Sequence, residues 1–145
     1  MIKKRGFNEM SMELLSVVIY AVLIFIMVLL QSTYMAKTAG LVFSFGNREK
    51  AQPSKKPLGN RIDRTLENLK EGGIMYVPLA VLAVSTDVSN PWTYYAALAT
   101  IISRVLYVPV YIFGVRIVRS LVFAPSLIAI PVMAYGVISG LAGAI

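Results

Sequence analysis

The sequence predicts an all-α integral membrane protein, a bundle of four transmembrane helices. Three observations lead there. The 145 residues are 57% hydrophobic and 14% charged, whereas a soluble domain carries about 25% charged residues and is about half apolar. Four apolar stretches recur along the chain. Most of its 14 lysines and arginines, set against 7 acidic residues, gather in short segments between those stretches, which is how membrane proteins distribute charge. The net charge of +7 is therefore read as orientation in a lipid bilayer, and no nucleic-acid partner is expected. The same composition excludes a disordered chain.

The first helix is expected over about 13–36. Its core, Leu14 to Leu30, holds no charge and a single serine. A span needs about 20 apolar residues, and this run is too deep and too long for a signal peptide and has no small-residue cleavage site after it, so it reads as a retained span. The second helix, about 60–86, is half wet. Arg61 to Glu71 is polar but helix-friendly, Ile74 to Thr86 is apolar, and Gly72-Gly73 at the join allows a close approach. The third, about 91–115, starts at Asn90-Pro91, a helix-start signal. Trp92, Tyr94 and Tyr95 suit the membrane interface, and Arg104 sits mid-helix. The fourth, about 119–144, has no charge from Ser120 onward, and Ala124, Gly136, Ser139, Gly140 and Gly143 permit close packing.

The loops orient the bundle. Loop one carries Lys37, Arg48, Lys50, Lys55, Lys56 and Arg61 and is the stretch rich in Pro, Gly and Ser. Loop three carries Arg116 and Arg119, and loop two only Asp87. The positive-inside rule puts loops one and three in the cytoplasm and both termini outside, although Lys3, Lys4 and Arg5 pull the other way. Residues 1–145 read as one membrane domain without an internal repeat.

The chain has no cysteine and no histidine. That removes Ser-His and Cys-His triads and thiolate or histidine metal sites, so no metal is expected. Any thiol chemistry must come from a bound molecule.

Ionisable residues at membrane depth default to a functional hypothesis. Glu71 lies ten residues past Arg61, about 15 Å along the helix, and Arg104 lies twelve residues before Arg116, about 18 Å. At similar depth the two could pair, either as a structural lock between helices or as part of a site. Arg61, Arg64, Asn68 and Glu71, spaced three, four and three, share one helix face. That face offers guanidinium forks for carboxylates, an amide, and an acceptor for an amine, although Arg61 also fits a solvated, snorkelling arginine. Asp63, Glu67 and Lys70 fall on a different face, toward water or headgroups. Arg104, Tyr107 and Tyr111 share a face of helix three, where the tyrosines could serve a ligand or simply pack. Pro109 between them should bend the helix. Arg119-Ser120 puts a guanidinium beside a helix N-terminus, a place that stabilises an anion, including a thiolate; it also fits one more positive-inside arginine.

Two stretches carry a family resemblance. Ser103-Arg-Val-Leu-Tyr-Val-Pro-Val-Tyr-Ile-Phe-Gly114, followed by Arg119-Ser-Leu-Val-Phe123, resembles the helix-three signature of the bacterial branch of the MAPEG family, the membrane-associated proteins of eicosanoid and glutathione metabolism. Arg64-x-x-x-Asn68-x-x-Glu71 is similar to the family's glutathione-binding stripe. The resemblance implies a MAPEG-like four-helix protomer, a homotrimer, and glutathione held as cosubstrate between protomers near the cytoplasmic face. It implies that Arg64, Asn68 and Glu71 hold the tripeptide, with Arg61 a further basic position and Lys37 the nearest match to a basic residue at the end of helix one. Tyr107 and Tyr111 match positions lining the site, with Arg104 on the same face. Arg119 matches the arginine that stabilises the thiolate, with Ser120 beside it. Arg116 is the alternative, because the spacing from Tyr111 differs by about one residue from eukaryotic synthases. In those synthases a tyrosine follows the helix-two glutamate; here the position is Gly72.

The expected function is a glutathione-dependent transferase or peroxidase of the bacterial inner membrane, acting on lipophilic electrophiles or lipid hydroperoxides. The rivals are a small four-helix transporter, with Glu71 and Arg104 as coupling charges, and a non-catalytic membrane scaffold. A carrier of the four-span multidrug type would place an acidic residue inside helix one, and Leu14 to Leu30 has none.

Overall fold

A computed structural model describes residues 10–41, 56–114 and 116–143, with the side chains of Arg116 and Arg119 excepted. The basic cluster Lys3, Lys4 and Arg5 and the loop-one residues Arg48, Lys50 and Lys55 lie outside the described residues. Four α-helices follow one another: α1 (Met12–Ala39), α2 (Pro57–Ser85), α3 (Pro91–Phe113) and α4 (Arg116–Ala142). No strand occurs among the described residues.

Each helix starts where its sequence supplies the missing partners of the first turn. The Ser11 hydroxyl accepts from the Leu14 amide at the start of α1. Lys56 is extended and Pro57 occupies the first turn of α2, which begins three residues before Asn60 because proline's fixed φ suits that position. At α3, the Asn90 side chain accepts from the Trp92 and Thr93 amides, and the Thr93 hydroxyl accepts in turn from the Asn90 amide. This is a reciprocal capping box. Gly114 ends α3 in the left-handed region, φ 79°, where glycine carries no Cβ penalty.

Three of the helices are long and apolar enough to cross a membrane: Met12–Ala39, Pro91–Phe113 and Ser120–Ala142. The second helix has 29 residues, about 43 Å at 1.5 Å per residue, and its polar first half keeps it apart from these three. Within α1 the buried residues Glu13, Ser16, Tyr20, Met27 and Met35 form one stripe, while Val18, Val22, Phe25, Ile26 and Leu29 are exposed. That is the division expected of a helix half in lipid. Lipid tails are as apolar as these side chains, so close fit and buried polar contacts hold the helices together.

The α3 helix lies along α4 and α1 along α2, and the pairs meet through α1–α3, α2–α3 and α2–α4. Their shared core contains Tyr20, Met27, Leu66, Leu69, Tyr76, Ala97 and Met133. Two of the small residues of α4 work as expected. A Cβ on Gly136 would lie 2.8 Å from Thr93 Cγ2, and one on Gly140 would strike Val88 Cγ1. There the Asn90 amide also donates to the Gly136 carbonyl at 2.7 Å. Gly143 meets only carbonyls of its own helix, and Ala124 is exposed.

Candidate functional site

The polar face of α2, the tyrosine face of α3 and the first turns of α4 enclose a cleft of about 300 Å³. Arg64, Asn68, Tyr107, Tyr111, Ser120 and Phe123 line it. The pairs 64/68 and 107/111 are four apart and the pair 120/123 three apart, so each helix turns two successive side chains to the same space. Across the cleft wall, Asn68 Nδ2 donates to the Tyr107 hydroxyl at 2.8 Å. The Tyr107 ring centroid lies 5.4 Å from that of Tyr111 and 5.7 Å from that of Phe123. Tyr107 and Tyr111 are buried, whereas Arg64 and Ser120 are exposed at the rim. The cleft thus combines a guanidinium, an amide and hydroxyls with an apolar aromatic wall. That set suits a polar, acidic molecule meeting an apolar one.

Beneath the cleft lies Arg104, only 2% exposed. Its Cζ is 5.7 Å from the Tyr20 ring centroid, 5.9 Å from that of Tyr107 and 5.0 Å from that of Phe123. Its Nε and Nη1 have no hydrogen-bond partner among the described residues. One residue toward loop two, the Ser103 hydroxyl donates to the Val122 carbonyl and ties α3 to α4.

Other expected residues take different places. Glu71 is exposed, outside the lining of the cleft, and forms no ion pair with Arg104. The expected pairing fails because equal depth does not fix direction: Glu71 points outward while Arg104 points into the bundle. Arg61 turns to the far end of α3, where its Nη1 donates to the Ile112 carbonyl at 3.3 Å. Its guanidinium covers Gly114, so that a Cβ there would lie 2.5 Å from Arg61 Cζ. Arg61 satisfies a carbonyl left open at a helix C-terminus, where a cation also complements the helix dipole. Lys37 is exposed in the last turn of α1 and does not line the cleft. Arg119 belongs to the first turn of α4, beside Ser120, and its side chain lies outside the described residues, as does that of Arg116. Asp63 does not face water alone, because Gln31 Nε2 donates to its Oδ1 at 2.8 Å.

Two features escape a reading of the sequence. Phe123, read only as part of a motif, forms the apolar wall. Glu13, at the opposite end of the bundle, is 1% exposed. Its carboxylate accepts from Thr93 Oγ1 at 2.6 Å and from Ser89 Oγ at 3.2 Å. Beside it, Ser16 Oγ and Tyr76 OH lie 2.6 Å apart. Thr93 is fourteen residues from Tyr107, about 21 Å along α3, so this cluster is separate from the cleft. Among the described residues, no group of three acidic, histidine or cysteine side chains is placed to hold a metal ion.

No curated protein and no solved structure gives a significant match to the chain. The model of the MAPEG family matches residues 14–139, a range that takes in most of each of the four helices and every lining residue of the cleft. The chain belongs to the MAPEG family of helical membrane proteins, a family associated with glutathione.

Proposed function

We propose that this protein is a glutathione-dependent membrane transferase or peroxidase that acts on lipophilic electrophiles or lipid hydroperoxides. One observation carries the reading: the Arg64–Asn68 stripe of α2 and the Tyr107–Tyr111 pair of α3 converge on a single cleft, in a chain whose family is glutathione-associated. Arg64 offers a fork to a carboxylate of the tripeptide. Asn68 and the tyrosines offer amide and hydroxyl partners. Glu71 lies outside the cleft lining of one protomer and in this proposal offers its acceptor to the amine from the exposed edge of α2. Ser120, in the second turn position of α4, brings the helix N-terminus to the rim.

The sulfur then lies toward Arg119 and the first turn of α4, where a guanidinium and the helix dipole favour its thiolate. In conjugation, the thiolate forms a C–S bond to the electrophilic carbon, and the displaced group leaves with the bonding electrons and takes up a proton. In peroxide reduction, the thiolate attacks the terminal oxygen of the O–O bond, and the alkoxide leaves and is protonated to an alcohol. A second glutathione then displaces water from the sulfenic acid to give the disulfide. Phe123 and the apolar wall suit an acceptor that arrives through the bilayer.

In this proposal the functional unit is a homotrimer of the bacterial inner membrane, with loops one and three cytoplasmic; Arg61 and Lys37 stay outside the cleft lining. The test is glutathione binding to the detergent-solubilised protein, followed by thiolate absorbance, with wild type beside Arg119→Ala. Binding with a thiolate signal that Arg119→Ala weakens is the expected result. No binding at millimolar glutathione, in protein shown to be folded, would overturn the proposal. Drug or ion flux in proteoliposomes that Glu71→Gln abolishes would then favour a transporter.

A further inference from the structure

We infer that Arg104 is a second source of thiolate stabilisation, a positioning residue that acts on the cleft from beneath, across the rings of Tyr107 and Phe123; the assignment rests on the glutathione reading above. Three observations lead to it. The guanidinium is 2% exposed, so water does not screen it. It forms no ion pair within the described bundle, and its Nε and Nη1 have no hydrogen-bond partner among the described residues. Its neighbours are the aromatic faces of Tyr20, Tyr107 and Phe123 at 5.0–5.9 Å. Aromatic faces attract a cation but do not cancel its charge.

An arginine stays charged in proteins, and a buried charge without a counter-ion is costly. The acidic side chains of the described residues leave that charge alone: Glu67, Glu71 and Asp87 are exposed, Asp63 accepts from Gln31, and Glu13 is held by Thr93 and Ser89 at the other end of α3. Two of the three rings around Arg104, Tyr107 and Phe123, also line the cleft. They form the septum between the buried cation and any guest, and a guest anion is the counter-ion that the site lacks.

The two arginines then differ in kind. Arg119 stands in the first turn of α4 at the cleft rim, next to the exposed Ser120. Arg104 is sealed in the bundle. At an effective dielectric constant of about 20, an unneutralised charge across one aromatic ring shifts a neighbouring pKa by about one unit. Salt screens exposed charges over a Debye length of about 10 Å at 0.1 M, and buried charges much less.

The experiment is a pH titration of bound glutathione by thiolate absorbance in wild type and Arg104→Gln, with the affinity for S-methylglutathione measured alongside. Arg104→Gln is expected to raise the midpoint by about one pH unit, a tenfold loss of thiolate below it. S-Methylglutathione, which has no thiol proton, should bind within about threefold of wild type. An unchanged midpoint overturns the inference, as does a loss of S-methylglutathione binding as large as the loss of thiolate, since Arg104 would then hold the tripeptide itself.

Wild type alone provides a second arm if Arg104→Gln does not fold. Between about 0.05 and 1 M salt, the part of the midpoint depression due to Arg104 should persist, leaving the thiol more acidic than free glutathione. A midpoint that returns to the free value at high salt assigns the whole effect to charges that salt screens and overturns the inference. Folded wild type that binds no glutathione overturns the functional reading itself, and this inference with it.

Discussion

The guanidinium of Arg104 fills the space that a side chain at Gly72 would need. A Cβ on Gly72 would strike Arg104 Nη2 and lie 2.7 Å from the Tyr20 hydroxyl. The glycine after Glu71, where eukaryotic synthases carry a tyrosine, is thus matched to an arginine on another helix. Gly72→Ala should cost about 1–3 kcal/mol by overpacking. Gly73→Ala, whose nearest neighbour is a tyrosine ring atom at 3.1 Å, should cost less. Thermal unfolding of the two variants in the same detergent checks the order.

The cleft wall makes a graded prediction for ligand affinity. Arg64→Ala removes a charge-assisted contact and should weaken glutathione binding by roughly 10- to 100-fold. Asn68→Ala removes a neutral donor to Tyr107 and should cost roughly 3- to 10-fold. Lys37→Ala, exposed and outside the cleft lining, should change affinity less than about twofold. Calorimetric titration of the three variants measures the series.

Glu13 is expected to serve stability alone. Glu13→Ala leaves the Thr93 and Ser89 hydroxyls without their acceptor and should lower stability by about 1–3 kcal/mol. Glutathione affinity should hold, because the cluster and the cleft are about 21 Å apart along α3. A thermal melt and a binding isotherm on the same sample separate the two effects.

The end of α3 depends on Gly114 more than on Arg61. At φ 79° an alanine is strained by roughly 1–2 kcal/mol, and its Cβ would also displace the Arg61 guanidinium. Arg61→Ala loses one exchangeable contact to Ile112 and some dipole stabilisation, about 0.3–1 kcal/mol. Gly114→Ala should therefore melt at the lower temperature.

The local half of the site was legible in the sequence. The pairs Arg64–Asn68 and Tyr107–Tyr111 follow from helical periodicity, a short-range property, and both pairs line the cleft. What periodicity leaves open is direction. Counting residues from the loops gave Glu71 and Arg104 similar depths, but depth is one coordinate, and the azimuth of each helix is set by packing. Arg61 could be placed on its helix, yet its acceptor is the carbonyl of Ile112, 51 residues away. Glu13 carries no local signal in the sequence because its partners lie 76 and 80 residues downstream. The family resemblance implies a site between protomers that uses helices two, three and four; the cleft brings residues of those three helices together within one chain.

The cleft takes Arg64 and Asn68 from the α1–α2 hairpin, and Tyr107, Tyr111, Ser120 and Phe123 from the α3–α4 hairpin. Neither hairpin owns the site. The first hairpin carries its arginine and amide in register on α2 but contributes nothing to the aromatic wall. Assembly of the pocket is the moment the two halves dock. A chain cut within loop two, at residues 86–90, and expressed as two fragments should regain ligand binding only when both halves share one bilayer.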